Sequence, residues 1–150
     1  MTKLERLENL LLSLWVGIMV GVGYIAVPVL FKLLDERKLA GSLAGEMFYI
    51  VTSVGLAIGG LLFVLRYKDV GFELFKQWRG CLLLFMLCLV AASLFVLQPM
   101  MAEVKALGMT EGSELAKKFG MLHGMSSLAY MAAIVSGCIL IVFGLRKPEI

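Results

Sequence analysis

Charge is the scarcest commodity in this chain. Only 17% of its 150 residues are charged, against about 25% in a soluble domain. That scarcity excludes a disordered chain, a nucleic-acid-binding module and an ordinary water-soluble enzyme. Histidine occurs once, at His123, and proline three times. The three cysteines, Cys81, Cys88 and Cys138, sit inside apolar runs. They form neither a disulfide framework nor a CxxC metal pair and read as small buried hydrophobes. Cys81 and Cys88 share a helix face but are too far apart for an intrahelical disulfide. No phosphate-binding loop, nucleophile–base pair or interior carboxylate pair is visible, so nothing points to an enzyme.

What is abundant is apolar surface: 61% of residues are hydrophobic and the mean hydropathy is +0.95. The expected solvent is therefore a lipid bilayer. Charge-free intervals run from Asn9 to Phe31, Met47 to Leu65, Gly80 to Ala102 and Phe119 to Leu145. Crossing about 30 Å of hydrocarbon takes about 20 apolar residues in a helix. Backbone groups there must bond internally, so the segments are helices. The expectation is one all-α domain over residues 1–150. It is an integral membrane four-helix up-down bundle with helices at about 9–31, 47–65, 80–102 and 122–145. The first segment is too long for a secretory signal and ends in Pro28-Val29-Leu30-Phe31 and a charge cluster, so it reads as retained.

Four crossings put both termini on one side. Their side carries Lys3, Arg6, Arg66, Lys68, Lys76, Arg79, Arg146 and Lys147; the other carries Lys32, Arg37, Lys38, Lys105, Lys117 and Lys118. The excess of basic residues favours cytoplasmic termini, as in a bacterial inner membrane. The net charge of +3 reads as topology and headgroup charge. The connections at about 32–46 and 103–118 are long enough for a short surface helix each.

Membrane helices associate through close backbone approach and polar bonds. Gly17-x-x-x-Gly21, Gly55-x-x-x-Gly59 and Gly120-x-x-x-Gly124 are therefore expected to pack within the bundle, with dimer contact as the other use. Polar stripes mark inward faces. They are His123, Ser126, Ser127 and Tyr130; Glu46, Tyr49 and Ser53; Ser13, Gly17, Gly21, Tyr24 and Pro28; and Gln98 with Pro99. In an up-down bundle, Tyr24, Glu46, Tyr49, Gln98 and His123 share one leaflet, opposite the termini. The expectation is a polar cluster of His123, Glu46, Gln98, Tyr24, Tyr49, Ser126, Ser127 and Tyr130, with no interior ionisable group at the other end.

His123 reads as a hydrogen-bonding link between helices, a proton-handling group, or an axial ligand to haem b or copper. One histidine supplies one axial ligand where a haem usually asks for two. Met121 and Met125 lie two residues either side of His123 and point away from it, so thioethers for copper would come from elsewhere, such as Met100 or Met109. No cofactor is expected by default. The prolines interrupt helices near their ends, unlike the mid-depth breaks of transporters.

Certain residues carry a resemblance. They are Ala26-x-Pro28-Val29-Leu30-Phe31, Ala40-Gly41-x-x-Ala44-Gly45-x-x-Phe48, Leu97-x-Pro99 and Phe119-x-x-x-His123-Gly124-x-Ser126-Ser127-Leu128. Together they resemble the transmembrane protein 205-like family, also called domain of unknown function 4149. The resemblance implies a small four-helix membrane protein without a settled biochemical activity. Relatives can carry an acid before the third-helix proline and an arginine after it; here Gln98 and Met100 stand there. The combined expectation is a non-enzymatic accessory or assembly subunit, or a handler of small solutes or metals. It would sit in the bilayer, alone, as a homo-oligomer or in a larger membrane complex, without nucleic acid. The alternative is a redox subunit holding haem or copper through His123.

Overall fold

The computed structural model describes residues 2–108, 110 and 112–146; Met109 and Lys147 lie outside them. The described residues fold into four long helices without a strand. We number them α1 (Lys3–Leu33), α2 (Arg37–Val70), α3 (Trp78–Ala106) and α4 (Glu114–Phe143). All four are long and apolar enough to cross a membrane. Each runs past its charge-free interval, because helical hydrogen bonding does not stop at the hydrocarbon edge. The expected surface helices are absent as separate elements. Residues 37–46 belong to α2, 98–106 to α3 and 114–118 to α4.

Local chemistry sets the ends. Thr2 caps α1 in a capping box with Glu5, and the Ser113 hydroxyl accepts from the Ala116 amide at the start of α4, each satisfying an orphan donor. Gly71 ends α2 at φ +56° and ψ −137°, a conformation open to glycine alone. A short 3-10 turn, Gly71–Lys76, leads into α3.

Both parallel helices, α1 and α3, widen into a π-turn before their proline. In α1 the turn is Gly21–Ala26, and the Val27 amide reaches back to the Val22 carbonyl. In α3 it is Ser93–Leu97, and the Gln98 amide bonds the Ser93 carbonyl. Pro28 and Pro99 lack an N–H, and their rings would collide with the carbonyl four residues earlier. A wider turn relieves that collision while the helix continues.

Each helix packs on its sequence neighbours, and α4 closes the ring on α1. The core runs down the axis through Leu12, Trp15, Val16 and Met19 of α1, Leu62 of α2, Leu83 and Met86 of α3, and Ala133 and Leu140 of α4. A smaller cluster of Leu97, Val104 and Leu122 joins the ends of α3 and α4 opposite the termini. Large apolar side chains such as Leu10, Ile25, Phe95 and Val142 point outward, as the lipid-facing surface of a membrane bundle must.

Glycine decides how closely α1 and α2 approach. Trp15, the largest fully buried side chain, lies in a notch over Gly55 and Gly59. A Cβ at Gly59 would stand 2.6 Å from its ring, and one at Gly55 would collide with the indole nitrogen. Gly137 makes room for Val16 and Met86 in the same manner, and Gly23 for Tyr130. The other two expected motifs do not pack within the subunit: nothing lies within 4 Å of a Cβ at Gly17, Gly21, Gly120 or Gly124. These helices turn other faces inward because Trp15, Val16 and Met19 on α1, and Ala133, Gly137 and Leu140 on α4, fill the axis. Gly59→Leu should therefore overpack the core and cost at least about 1–3 kcal/mol, whereas Gly124→Leu should leave stability within about 0.5 kcal/mol. Thermal unfolding in detergent compares the two; equal melting temperatures would show that Trp15 does not sit in that notch.

Candidate functional site

Two polar groupings occupy the bundle, and neither is the cluster expected from the stripes. The first lies at the terminus end. Glu8, one turn inside α1, is 1% exposed. Its carboxylate accepts two hydrogen bonds from Arg146, from Nε to Oε2 at 2.9 Å and from Nη2 to Oε1 at 3.0 Å. Arg146 Nη1 also donates to Asp69 at 3.0 Å, and Asp69 accepts from the buried Arg66 at 2.8 Å. Two carboxylates and two guanidiniums thus tie α1, the end of α2 and the tail beyond α4 into one network. The tail reaches it because Gly144, at φ +73°, turns the chain back and buries Leu145 in the core. The hydrogen bonds that Arg146 donates to the Glu8 carboxylate raise its pKa above the ordinary value, against a smaller desolvation effect. This corrects the expectation that no interior ionisable group lies at this end.

An aromatic rim surrounds the same end. Phe63, Tyr67, Phe72 and Phe75 contact one another with centroids 5.8–6.4 Å apart. Trp78 meets the edge of Phe143 and carries the Arg79 guanidinium 4.7 Å above its ring. Half-exposed aromatics beside Lys68 and Lys76 suit the headgroup boundary.

The second grouping lies on the bundle axis. The Gln98 amide of α3 donates a long hydrogen bond, 3.5 Å, to the Thr52 hydroxyl of α2. Thr52 in turn donates to the Phe48 carbonyl at 2.5 Å. The Phe48 ring stands edge-on to Tyr130 of α4 at 5.1 Å, and the Tyr130 hydroxyl donates to the Met19 carbonyl of α1 at 2.7 Å. All four helices contribute to this ring. It borders a cavity of about 10 Å³ lined by Trp15, Thr52, Ser93 and Tyr130 together with apolar groups.

Of the eight expected cluster residues, the structure brings only Gln98 and Tyr130 to this ring. Glu46, Tyr24, Tyr49, His123 and Ser127 are exposed, and Ser126 is half-buried. His123 lies flat against Phe119, centroids 6.0 Å apart at 9°, and Lys105 sits 5.4 Å from the Phe119 ring. The Ser127 hydroxyl bonds the His123 carbonyl within its own helix. The stripes fail as inward markers because apolar side chains, among them Met19, Val51, Leu122 and Ala133, take the inward faces of these helices. Sequence reasoning missed Thr52, Ser93 and Trp15. It also missed Glu8 and Asp69, which the charge-free intervals had placed outside the membrane segments. A carboxylate one residue before an apolar run was the available signal.

For a metal or haem, the geometry offers little within one chain. Among the described residues, no three His, Cys, Asp or Glu side chains come together, and the axial cavity is far smaller than a porphyrin. His123 faces outward and would be a lone ligand.

Four membrane-length helices around a filled axis define a small polytopic membrane protein. The chain belongs to the domain of unknown function (DUF4149) family, whose model matches residues 10–110. The matched stretch holds both π-turns, both of their prolines and the Trp15 notch, and stops before Phe119 and His123. No curated protein and no solved structure matches the chain.

The ionic network carries a stability prediction. Arg146→Ala strands the Glu8 carboxylate and should cost about 3–5 kcal/mol. Asp69→Ala should also be costly, because it leaves the buried Arg66 guanidinium without its carboxylate. The double variant Glu8→Leu/Arg146→Met should recover most of the Arg146→Ala loss. Urea or thermal titration in micelles measures all three; a double variant no more stable than Arg146→Ala would mean that the stranded carboxylate is not the source of the loss.

Proposed function

We propose that this protein is a non-enzymatic accessory or assembly subunit that works by presenting its outer surface to other membrane helices. The observation that carries this reading is the pattern of open glycines. Gly17 and Gly21 on α1, and Gly120 and Gly124 on α4, face outward with nothing beside them. The well-packed glycines at 55, 59 and 137 show what this chain does with a notch when it has a partner for it. Smooth faces of this kind let a second helix approach closely. The interior, by contrast, is filled by large side chains and a neutral ionic network, and offers no passage.

The assignment extends to setting. A bacterial inner membrane with cytoplasmic termini fits the basic excess on the terminus side, together with the aromatic rim and Lys68 and Lys76 there. The likeness to transmembrane protein 205-like sequences rests on the same proline and glycine motifs and would make this chain a distant member of that group. Partners on this reading are the bilayer and either a second copy or a larger membrane complex.

The test uses Gly124→Leu, which should fold normally. Purified gently, the wild-type chain should migrate as an assembly larger than one subunit, with itself or with a stoichiometric membrane partner. Gly124→Leu or Gly17→Leu should release it at least tenfold more readily. A wild-type chain that is monomeric in nanodiscs and brings down no membrane protein would refute the reading.

The exposed setting of His123 makes a separate prediction about cofactors. His123→Ala should leave the visible absorption spectrum and the metal content of the purified protein unchanged. A Soret band or stoichiometric copper lost in that variant would favour the redox alternative instead.

A further inference from the structure

The axial cavity is polar where the rest of the core is not. Three hydroxyls border it, from Thr52, Ser93 and Tyr130, one each on α2, α3 and α4. Two of them have fixed roles as donors: Thr52 bonds the Phe48 carbonyl and Tyr130 the Met19 carbonyl. Both oxygens keep acceptor capacity, since a hydroxyl has one hydrogen and two lone pairs. Ser93 is different. It is 7% exposed, and its hydroxyl makes no hydrogen bond among the described residues. It also opens the π-turn of α3, the turn to which Pro99 can give no N–H. A fourth wall residue, Trp15 of α1, is 1% exposed; its indole nitrogen lies against Gly55, in the notch between α1 and α2.

Unanswered polar groups in a hydrocarbon setting cost free energy, and a wall with a spare donor beside spare acceptors is chemically incomplete. The space matches one small molecule. About 10 Å³ lies at the threshold for a single water, which needs two to four polar partners. An apolar occupant would leave the Ser93 hydroxyl unanswered.

We propose that this cavity is a binding site for one structural water, which accepts from the Ser93 hydroxyl and donates to the Thr52 and Tyr130 oxygens. The water joins the π-turn of α3 to α2 and α4 at the bundle axis. It completes the ring that Gln98, Thr52, Phe48 and Tyr130 begin. The site is independent of any outer-surface association.

The test follows the ring carbon-bound protons of Trp15, whose side chain is part of the cavity wall. Trp78→Phe leaves Trp15 as the single indole without touching the cavity. With that chain in nanodiscs, isotope-labelled at tryptophan, magnetisation transfer between water and the Trp15 ring carbon-bound protons is recorded by NMR. The expected result is a cross-peak of the sign given by a long-lived bound water, lost in Ser93→Val, whose second methyl takes up the space, and at least halved in Ser93→Ala. If Ser93→Val fails to fold, Ser93→Ala and the parent chain still decide the matter. No cross-peak in the parent, or one of undiminished intensity in Ser93→Ala, overturns the proposal.

Discussion

A carboxylate can enter a membrane bundle only if its charge is answered where it stands. Glu8 is almost wholly buried, and the guanidinium of Arg146 meets it with two parallel hydrogen bonds. Asp69 and Arg66 extend the pair into a neutral foursome. The arrangement reaches across the chain from its first helix to the tail beyond its last. Fork-to-carboxylate geometry also restricts direction as well as distance, so the three segments meet in one orientation. Once the terminus end is closed in this way, α1, α2 and α4 leave it at set angles, and the axis above is free for apolar packing.

That packing has its own organising contact. Trp15 fills the space between α1 and α2 only because Gly55 and Gly59 present bare backbone to it. Without a hydrophobic drive between helices in lipid, this close approach supplies dispersion energy that larger residues would forfeit. Further along the axis the proline-induced π-turns loosen α1 and α3 at similar depth. There the bundle becomes polar, with Thr52, Ser93, Gln98 and Tyr130 drawn together.

The class of fold was legible from composition and from four charge-free intervals, since a bilayer admits few other solutions. Gly55 and Gly59 were legible as a motif, but so were Gly17, Gly21, Gly120 and Gly124, which the structure leaves unfilled within the subunit. Nothing local distinguishes the two kinds; the difference is whether a tryptophan arrives from elsewhere. His123, Glu46, Tyr24 and Tyr49 were read as facing inward because polar groups avoid lipid. They face outward instead, since larger apolar side chains such as Trp15, Val51 and Leu122 fill the inward faces of the same helices. Conversely, Glu8 looked like an ordinary boundary charge, and its partner lies 138 positions away.

Sequence alone pointed to the bilayer and to four membrane-length helices, because both follow from runs of apolar residues; the prolines at 28 and 99, expected to interrupt their helices, instead widen them into π-turns. Rotation of each helix about its axis, and hence which polar groups meet, was settled only by tertiary structure. Four helices of weak amphipathic character have many nearly equivalent rotations. Pairings between distant residues, Glu8 with Arg146 and Trp15 with Gly55 and Gly59, select one of them.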